Sequence, residues 1–227
     1  MRFLAVCIAN RYKPLEYDEL PYYCYVHEPV YFPRNKTKDR IEFLVKWWNE
    51  AHLKALEFYP DATHIVHLGT YYLPQVLAIR ALVREYERRD DPNIILAGTV
   101  WGKTPLLPYL KMYNFYDTWG YPELAGLRYF LRPPKGFLQL STVAVPMIYP
   151  VSVWKEHPFH NSEDLKNLWY ATFCQESGLP IFSALGVRFF RSKYDSEIPD
   201  YQWWKQLRIS LALGTRIRKL RKNDSPR

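Results

Sequence analysis

Cysteine and glycine are scarce in this chain, and their scarcity excludes some classes of protein. The three cysteines, Cys7, Cys24 and Cys174, lack the spacing of a zinc knuckle or a CxxC redox pair. An odd, scattered set is typical of reduced thiols, so no disulfide framework is expected. The nine glycines are outnumbered by 18 prolines, which predicts stiff loops.

Long apolar runs are also missing. No apolar stretch reaches the length of about 18 residues that a membrane-spanning helix needs. The N-terminal MRFLAVCIANR has a short apolar run before Arg11 and no small-residue cleavage site, so it predicts a first strand and not a signal peptide. We therefore expect a cytoplasmic protein, peripheral to a membrane at most.

Acidic residues are nearly absent from the C-terminal part of the chain. From Tyr201 onward there are eight Lys or Arg and one acid, Asp224, so +7 of the total charge of +8 lies there. The first 200 residues are nearly neutral, so a nucleic-acid partner is not favoured. The basic end fits either a solvated helix end or an amphipathic segment on an anionic membrane, and Trp203, Trp204 and Leu211 slightly favour the membrane.

Apolar runs and helical periods alternate through most of the chain, in which 48% of residues are hydrophobic. Runs at 3–9, 64–68 and 93–98 predict buried parallel strands. Apolar residues at three- and four-residue steps predict helices over 40–58 and from Pro74. The order is typical of a single-domain α/β fold with a mostly parallel sheet flanked by helices.

The remaining segments give weaker patterns. Residues 12–37 are rich in Tyr and Pro and predict a long loop, and residues 101–134 predict a long irregular excursion. Strands are expected at 137–145 and 186–190. Ser162 is a plausible N-cap for a helix that would end at Gly178.

Four stretches together resemble the GT-A fold glycosyltransferases, which use nucleotide-sugar donors and are of the family 2 type. These stretches are RFLAVCIANR, RIEFLVKWWNEAHLKAL, DATHIVHLGTYYLP, and LQLSTVAVPMIYPVSVW followed by SEDLKNLWYATFCQESGLPIF. The resemblance covers residues 1–191 and implies a catalytic domain there. Residues 192–227 would then form a basic, amphipathic, helical C-terminal segment.

The resemblance implies a donor site for a UDP- or GDP-linked sugar. Arg40 and Asn49 would flank a turn that faces the donor. The other implied donor-binding residues are Asn10, Arg11, His67, Gly69, Thr70 and Tyr71. The acceptor, a glycan, lipid or protein, is not specified.

The metal site of the family is where this sequence departs from the pattern. The two aspartates of the family's Asp-x-Asp motif fall on Gly69 and Tyr71, which offer no carboxylate to Mn²⁺ or Mg²⁺. A metal-free transferase would need backbone N–H groups or cationic side chains to offset the charge of the leaving diphosphate. Candidates for that role are Arg11, Lys103, Arg188 and Arg191.

A carboxylate that takes the acceptor's proton is also implied, and Asp164, with Glu163 as the second choice, occupies the matching place. Acids in the first turn of a helix also stabilise that helix through its dipole, which would account for both residues without catalysis.

The histidines admit a metal hypothesis of their own. His64 and His67 are an odd number of residues apart on one predicted strand, so they should face opposite sides and cannot bind one ion together. His67 could hydrogen-bond a phosphate or a sugar. His157 and His160 form a looser cluster with Glu163 and Asp164, which Pro158 makes a poor metal site.

Two functions therefore remain open, beside a weaker third in which the basic end from Tyr201 contacts nucleic acid. The first is a glycosyltransferase with Asp164 as the general base. The second is a non-catalytic nucleotide- or glycan-binding protein that kept the fold but lost the metal site.

Overall fold

The elements follow the apolar pattern of the sequence. The computed structural model describes residues 1–8, 23–27, 37–68, 75–107, 110–115, 136–162 and 169–190. Its strands are β1 (Phe3–Ile8), β2 (Tyr23–His27), β3 (His64–Leu68), β4 (Ile95–Leu107), β5 (Leu110–Phe115), β6 (Phe137–Gln139), β7 (Met147–Pro150) and β8 (Ile181–Phe190). Its helices are α1 (Thr37–Phe58), α2 (Val76–Glu87), α3 (Val151–Glu156) and α4 (Trp169–Glu176).

The strands form one mixed sheet in the order β2-β1-β3-β7-β4-β8-β6, and β5 pairs with β4 beside this path. Parallel pairing joins β1 to β2, β1 to β3 and β4 to β8. The short β7 lies antiparallel between β3 and β4. Helices pack against the sheet, so the predicted α/β class is confirmed.

Two hydrophobic clusters cover the two faces of the sheet. Because side chains alternate along a strand, Leu4 and Val6 of β1 join a cluster with α1, α3 and α4, whereas Ala5 and Cys7 join a cluster with α2. Every residue of β1 and β3 is buried. Burial on both faces is the reason that these strands read as continuous apolar runs.

Several sequence-based boundaries need correction. Residues 12–37, predicted as a loop, contain β2, and the excursion predicted for 101–134 contains the end of β4 and all of β5. The strand predicted over 137–145 ends at Gln139. In these segments cross-strand pairing supplies backbone hydrogen bonds that the local sequence, which lacks a regular apolar alternation, does not predict.

The helical predictions agree better with the structure. α1 and α2 lie where the periodicity places them, and Trp48 faces the core while its neighbour Trp47 is half-buried. α4 ends just before Gly178, whose φ of 62° is the left-handed conformation that glycine adopts most easily. Among the described residues, no helix is long and apolar enough to cross a membrane. The segment 192–227 lies outside the described residues.

Candidate functional site

The carboxyl ends of β1 and β3 lie side by side. Cys7 is opposite Leu68 in the parallel register, so both strands end at the same edge of the sheet. Ligands of open α/β sheets bind at this edge. Asn10, Arg11, Gly69, Thr70 and Tyr71 lie outside the described residues, but the strands that lead to them are neighbours.

His67, the penultimate residue of β3, lies on the face covered by α1 and α4. Its ring is fully buried. It stacks on Trp169 at a centroid distance of 5.2 Å and an interplanar angle of 14°, and it lies 4.0 Å from the Trp48 ring. His64 packs against Phe3 and Tyr86 on the opposite face, as the odd spacing predicted.

Hydrogen bonds join Tyr149 of β7 both to His67 and to His52 of α1, and we call these three residues the His-Tyr-His array. The Tyr149 hydroxyl lies 2.7 Å from Nε2 of His52 and 3.1 Å from Nδ1 of His67. Nδ1 of His52 lies 2.6 Å from the carbonyl oxygen of Trp48. Nε2 of His67 is buried and has no hydrogen-bond partner among the described residues.

Burial keeps the array uncharged. Desolvation lowers the pKa of His52 to about 3, and the same effect, with repulsion from His52, lowers the pKa of His67 well below its usual value. Burial raises the pKa of the Tyr149 hydroxyl well above 10. At neutral pH all three groups therefore exchange hydrogen bonds as neutral donors and acceptors.

The described residues on either side of the acidic segment, which we define as residues 163–168, lie beside this array. Glu163 and Asp164 lie outside the described residues, but the chain on either side of them is described. The Trp169 N–H, at the start of α4, donates a 2.9 Å hydrogen bond to Oδ1 of Asn161. Asn161 and Trp169, which flank the acidic segment, are thus in contact, and Trp169 stacks on His67.

Asn49 has a different setting from the one that the resemblance implies. α1 runs without interruption from Thr37 to Phe58, so Asn49 is in mid-helix and does not flank a turn, while Arg40 is in the first helical turn. The Asn49 amide donates to the Phe159 carbonyl at 2.8 Å and accepts from the Phe159 N–H at 3.0 Å. This pair fixes the chain that leads into the acidic segment, and the donor-binding role of Asn49 stays a prediction.

The described residues do not offer a metal centre. No group of three or more His, Cys, Asp or Glu side chains that could hold an ion is found among them. His160 bonds Glu176 at 2.8 Å, and this contact raises its pKa. Gly69 and Tyr71 supply no carboxylate either, so the residues do not fit a cation held in the manner of the Asp-x-Asp family.

Two of the proposed cationic substitutes for the metal lie in described strands. Arg188 of β8 is half-buried and pairs in register with Thr99 of β4. Lys103 lies in the second half of β4, which pairs with β5. Arg11 and Arg191 lie outside the described residues.

Sequence reasoning missed His52, Tyr149 and Asn161. His52 follows Trp48 by four residues, a spacing that places both on one helix face, and this was the available signal. Tyr149 reads as an ordinary apolar strand residue. The hydrogen bond of Asn161 to the Trp169 N–H spans eight residues, beyond the reach of a local capping pattern.

Comparison with known proteins gives distant likeness only. No protein-family model matches the sequence, and the search of curated proteins found no match. The solved structure "A197 from STIV" is similar with a TM-score of 0.44 and 10% identity, over 85% of this chain and 86% of that chain. The solved structure "S. aureus TarS 1-349" has a TM-score of 0.44 and 10% identity, over 99% of this chain and 74% of that chain. Likeness at this level does not indicate an activity.

Proposed function

We propose that this protein is a glycosyltransferase that moves a sugar from a nucleotide-sugar donor, UDP- or GDP-linked, to an acceptor hydroxyl. One observation carries the proposal: Trp169, which directly follows the acidic segment, stacks on His67 at the carboxyl end of β3. β1 ends at the same edge, so the described residues that precede the predicted donor residues and the residue that follows the segment with the predicted base lie near one edge of the sheet, which supports the proposal.

In the proposed reaction, Asp164 accepts the proton of the acceptor hydroxyl as the new glycosidic bond forms, and the nucleoside diphosphate leaves. Glu163 is the second candidate for this base. Since Gly69 and Tyr71 cannot bind a cation through carboxylates, the negative charge on the diphosphate is offset by cationic side chains or backbone N–H groups. Arg11, Lys103, Arg188 and Arg191 are the candidates for that role.

Donor binding is tested first. The purified chain is screened for thermal stabilisation by UDP-, GDP-, ADP- and dTDP-linked sugars, once with a chelator and once with Mn²⁺. We expect one donor to raise the midpoint in chelator, because ligands that bind the folded state stabilise it. Stabilisation that requires Mn²⁺ would contradict the metal-free site, and no stabilisation by any donor would contradict the proposed function.

Catalysis is tested with the donor found in that screen. Release of the nucleoside diphosphate is measured with water as the acceptor, so the natural acceptor need not be known. Asp164→Asn should lower the rate by about 10²- to 10⁴-fold, the usual contribution of a general base, while leaving donor stabilisation intact. Glu87→Gln, an exposed acid at the end of α2, is the matched control and should keep the rate. Full activity of Asp164→Asn would disprove the assigned role.

The absence of both aspartates, in favour of Gly69 and Tyr71, also supports the second candidate, a non-catalytic nucleotide- or glycan-binding protein. In that case a donor would stabilise the protein with no turnover in the wild type. Any sustained release of the nucleoside diphosphate that Asp164→Asn abolishes would exclude it.

A further inference from the structure

The starting point is the buried Nε2 of His67, which lacks a hydrogen-bond partner within the described part of the chain. Buried polar atoms are almost always hydrogen-bonded, and a native exception needs an explanation. The other ring nitrogen, Nδ1, is bonded to Tyr149. The ring thus has one satisfied edge and one unsatisfied edge.

The hydrogen bonds of the array fix which His67 nitrogen carries the proton. The Trp48 carbonyl can only accept, so Nδ1 of His52 donates to it, and Nε2 of the neutral His52 is left with a lone pair. The Tyr149 hydroxyl must then donate its single proton to that lone pair. Its oxygen in turn accepts the Nδ1–H of His67. Nε2 of the neutral His67 is therefore a hydrogen-bond acceptor.

These hydrogen bonds fix which atom donates and which accepts at each contact, and they do not form a path for proton transfer. It ends at the peptide carbonyl of Trp48, which has no proton to pass on and does not accept one at neutral pH. If one of these bonds ran in the opposite direction, one of the contacts among Trp48, His52, Tyr149 and His67 would hold two hydrogens or none. The tautomer of His67 is consequently held by groups on two other elements, α1 and β7.

Aromatic rings hold the His67 ring in place. Trp169 stacks on it, Trp48 lies at 4.0 Å, and the Phe159 ring lies at 5.2 Å. His67 has no exposed surface. A ligand group that bonds to Nε2 therefore replaces whatever covers this atom in the free protein.

We infer that Nε2 of His67 accepts a hydrogen bond from a hydroxyl group of the nucleotide sugar, and that it selects for that hydroxyl. The inference rests on the proposed function and narrows the ligand group that His67 contacts. Phosphate oxygens carry no hydrogen at neutral pH and are themselves acceptors, so a neutral acceptor nitrogen does not bind them. A ribose or hexose hydroxyl supplies the missing hydrogen.

The test uses the full chain labelled with ¹⁵N-histidine, whose long-range ¹H–¹⁵N spectra distinguish protonated from unprotonated ring nitrogens. His52→Gln and His67→Gln assign the signals. In the free protein His52 and His67 should both be neutral with Nδ1 protonated. Protonation of Nε2 in the free protein would overturn the inference.

The donor found by the thermal screen is then added. The Nε2 signal of His67 should move in the direction of a nitrogen that has gained a hydrogen bond. The ribonucleoside diphosphate alone, its 2′-deoxy form and the complete nucleotide sugar identify whether the ribose or the hexose provides the hydroxyl. If a donor stabilises the protein but the Nε2 signal does not change, the donor binds without a hydrogen bond to this atom. That result would overturn the inference and leave the proposed function standing.

Binding measurements give an independent result. His67→Phe keeps a ring but removes the acceptor and should weaken donor binding by about tenfold or more, as expected when a ligand hydroxyl loses its buried partner. His67→Gln keeps an acceptor oxygen and should recover part of the affinity. His64→Phe, on the opposite face of β3, is the matched control and should bind like the wild type. Equal affinity in all three variants would overturn the inference, and if no donor binds the wild type, both the inference and the proposed function fail.

Discussion

Tyr149 hydrogen-bonds both buried histidines beneath the proposed site. Its hydroxyl donates to His52 and accepts from His67, so it satisfies one nitrogen on each of two buried rings. These rings come from α1 and β3, and Tyr149 comes from β7. One hydroxyl thus ties a helix and two neighbouring strands together at the edge where the ligand is proposed to bind.

Tyr149→Phe should destabilise the protein markedly because it leaves a buried nitrogen unsatisfied on each histidine. A cost of about 1–3 kcal/mol for each such group is usual, so we expect a loss of about 2–6 kcal/mol in the free energy of unfolding, measured by urea denaturation. Tyr86→Phe is the matched control. The Tyr86 hydroxyl shares its one proton between the carbonyls of Pro92 and Ile94, and none of the described histidines hydrogen-bonds to it. A loss for Tyr149→Phe no greater than that for Tyr86→Phe would contradict the importance of the array.

Stability should also fall as the pH is lowered. The pKa of His52 is about 3 in the folded protein and about 6.5 when unfolded, so between these values the unfolded state binds the extra proton. The stability that a neutral buried histidine contributes is complete above about pH 6.5 and decreases by about 1.4 kcal/mol per pH unit below it. His67, with its pKa lowered too, adds in the same direction.

Urea denaturation at about pH 7.5, 6.5 and 5.5 measures this slope. His52→Gln should reduce it. His160, whose pKa is raised by Glu176, contributes in the opposite sense, since its bond is strongest below pH 6.5 and weakens as the pH rises. His160→Gln should therefore keep the slope or make it slightly steeper. A wild-type slope that His52→Gln does not change would refute the assignment.

At the scale of elements, β4 lies unusually close to β8 at Gly98. Its pairing with β8 shifts register between Ala97 and Thr99, and Gly98 sits at this shift. A Cβ at Gly98 would lie 2.6 Å from Cε2 of Phe189, a fully buried ring of β8. Only a residue without a side chain lets the two strands stay this close.

Gly98→Ala should therefore cost about 1–3 kcal/mol of stability through overpacking, or force Phe189 from its position. Gly186→Ala is the matched control in β8, where nothing lies within 4 Å of the added Cβ. That variant should be neutral or slightly stabilising. Thermal and urea unfolding of the two variants measure the difference, and equal stability of the two would show that Phe189 moves aside without cost.

The elements that the sequence predicts well are those with a strong apolar pattern. The sequence predicts β3 with its observed bounds, and α1 and α2 within a few residues. The reason is that apolar residues occupy the positions that are buried in these elements. β5 was missed because pairing with β4, and not its own composition, makes it a strand. At the site, the opposite facing of His64 and His67 follows from spacing alone, whereas the partner of His67, Tyr149, comes from a strand 82 residues away.

At the scale of the whole molecule, the charge is divided between a nearly neutral α/β domain and a basic C-terminal segment. We predict that this segment holds the protein on anionic membranes, where each Lys or Arg near the surface contributes about 1 kcal/mol. The variant that tests this changes Arg216, Arg218, Lys219 and Arg221 to Gln in the full chain. The matched control instead removes four exposed basic residues that lie in helices or directly after one, Lys46, Arg84, Arg88 and Lys155.

Co-sedimentation with vesicles compares the wild type and the two variants on phosphatidylserine-containing and pure phosphatidylcholine membranes. Losing four surface-bound charges should weaken binding to the anionic vesicles by about two to three orders of magnitude, whereas the control variant, with the same net charge, should bind nearly as well as the wild type. If both variants lost the same vesicle affinity, the net charge of the protein and not the C-terminal segment would determine membrane binding, which would contradict the prediction. Retention on RNA or DNA that only the C-terminal variant loses, without vesicle binding, would assign the segment to nucleic acid instead, because phosphate contacts of either kind draw on the same basic side chains.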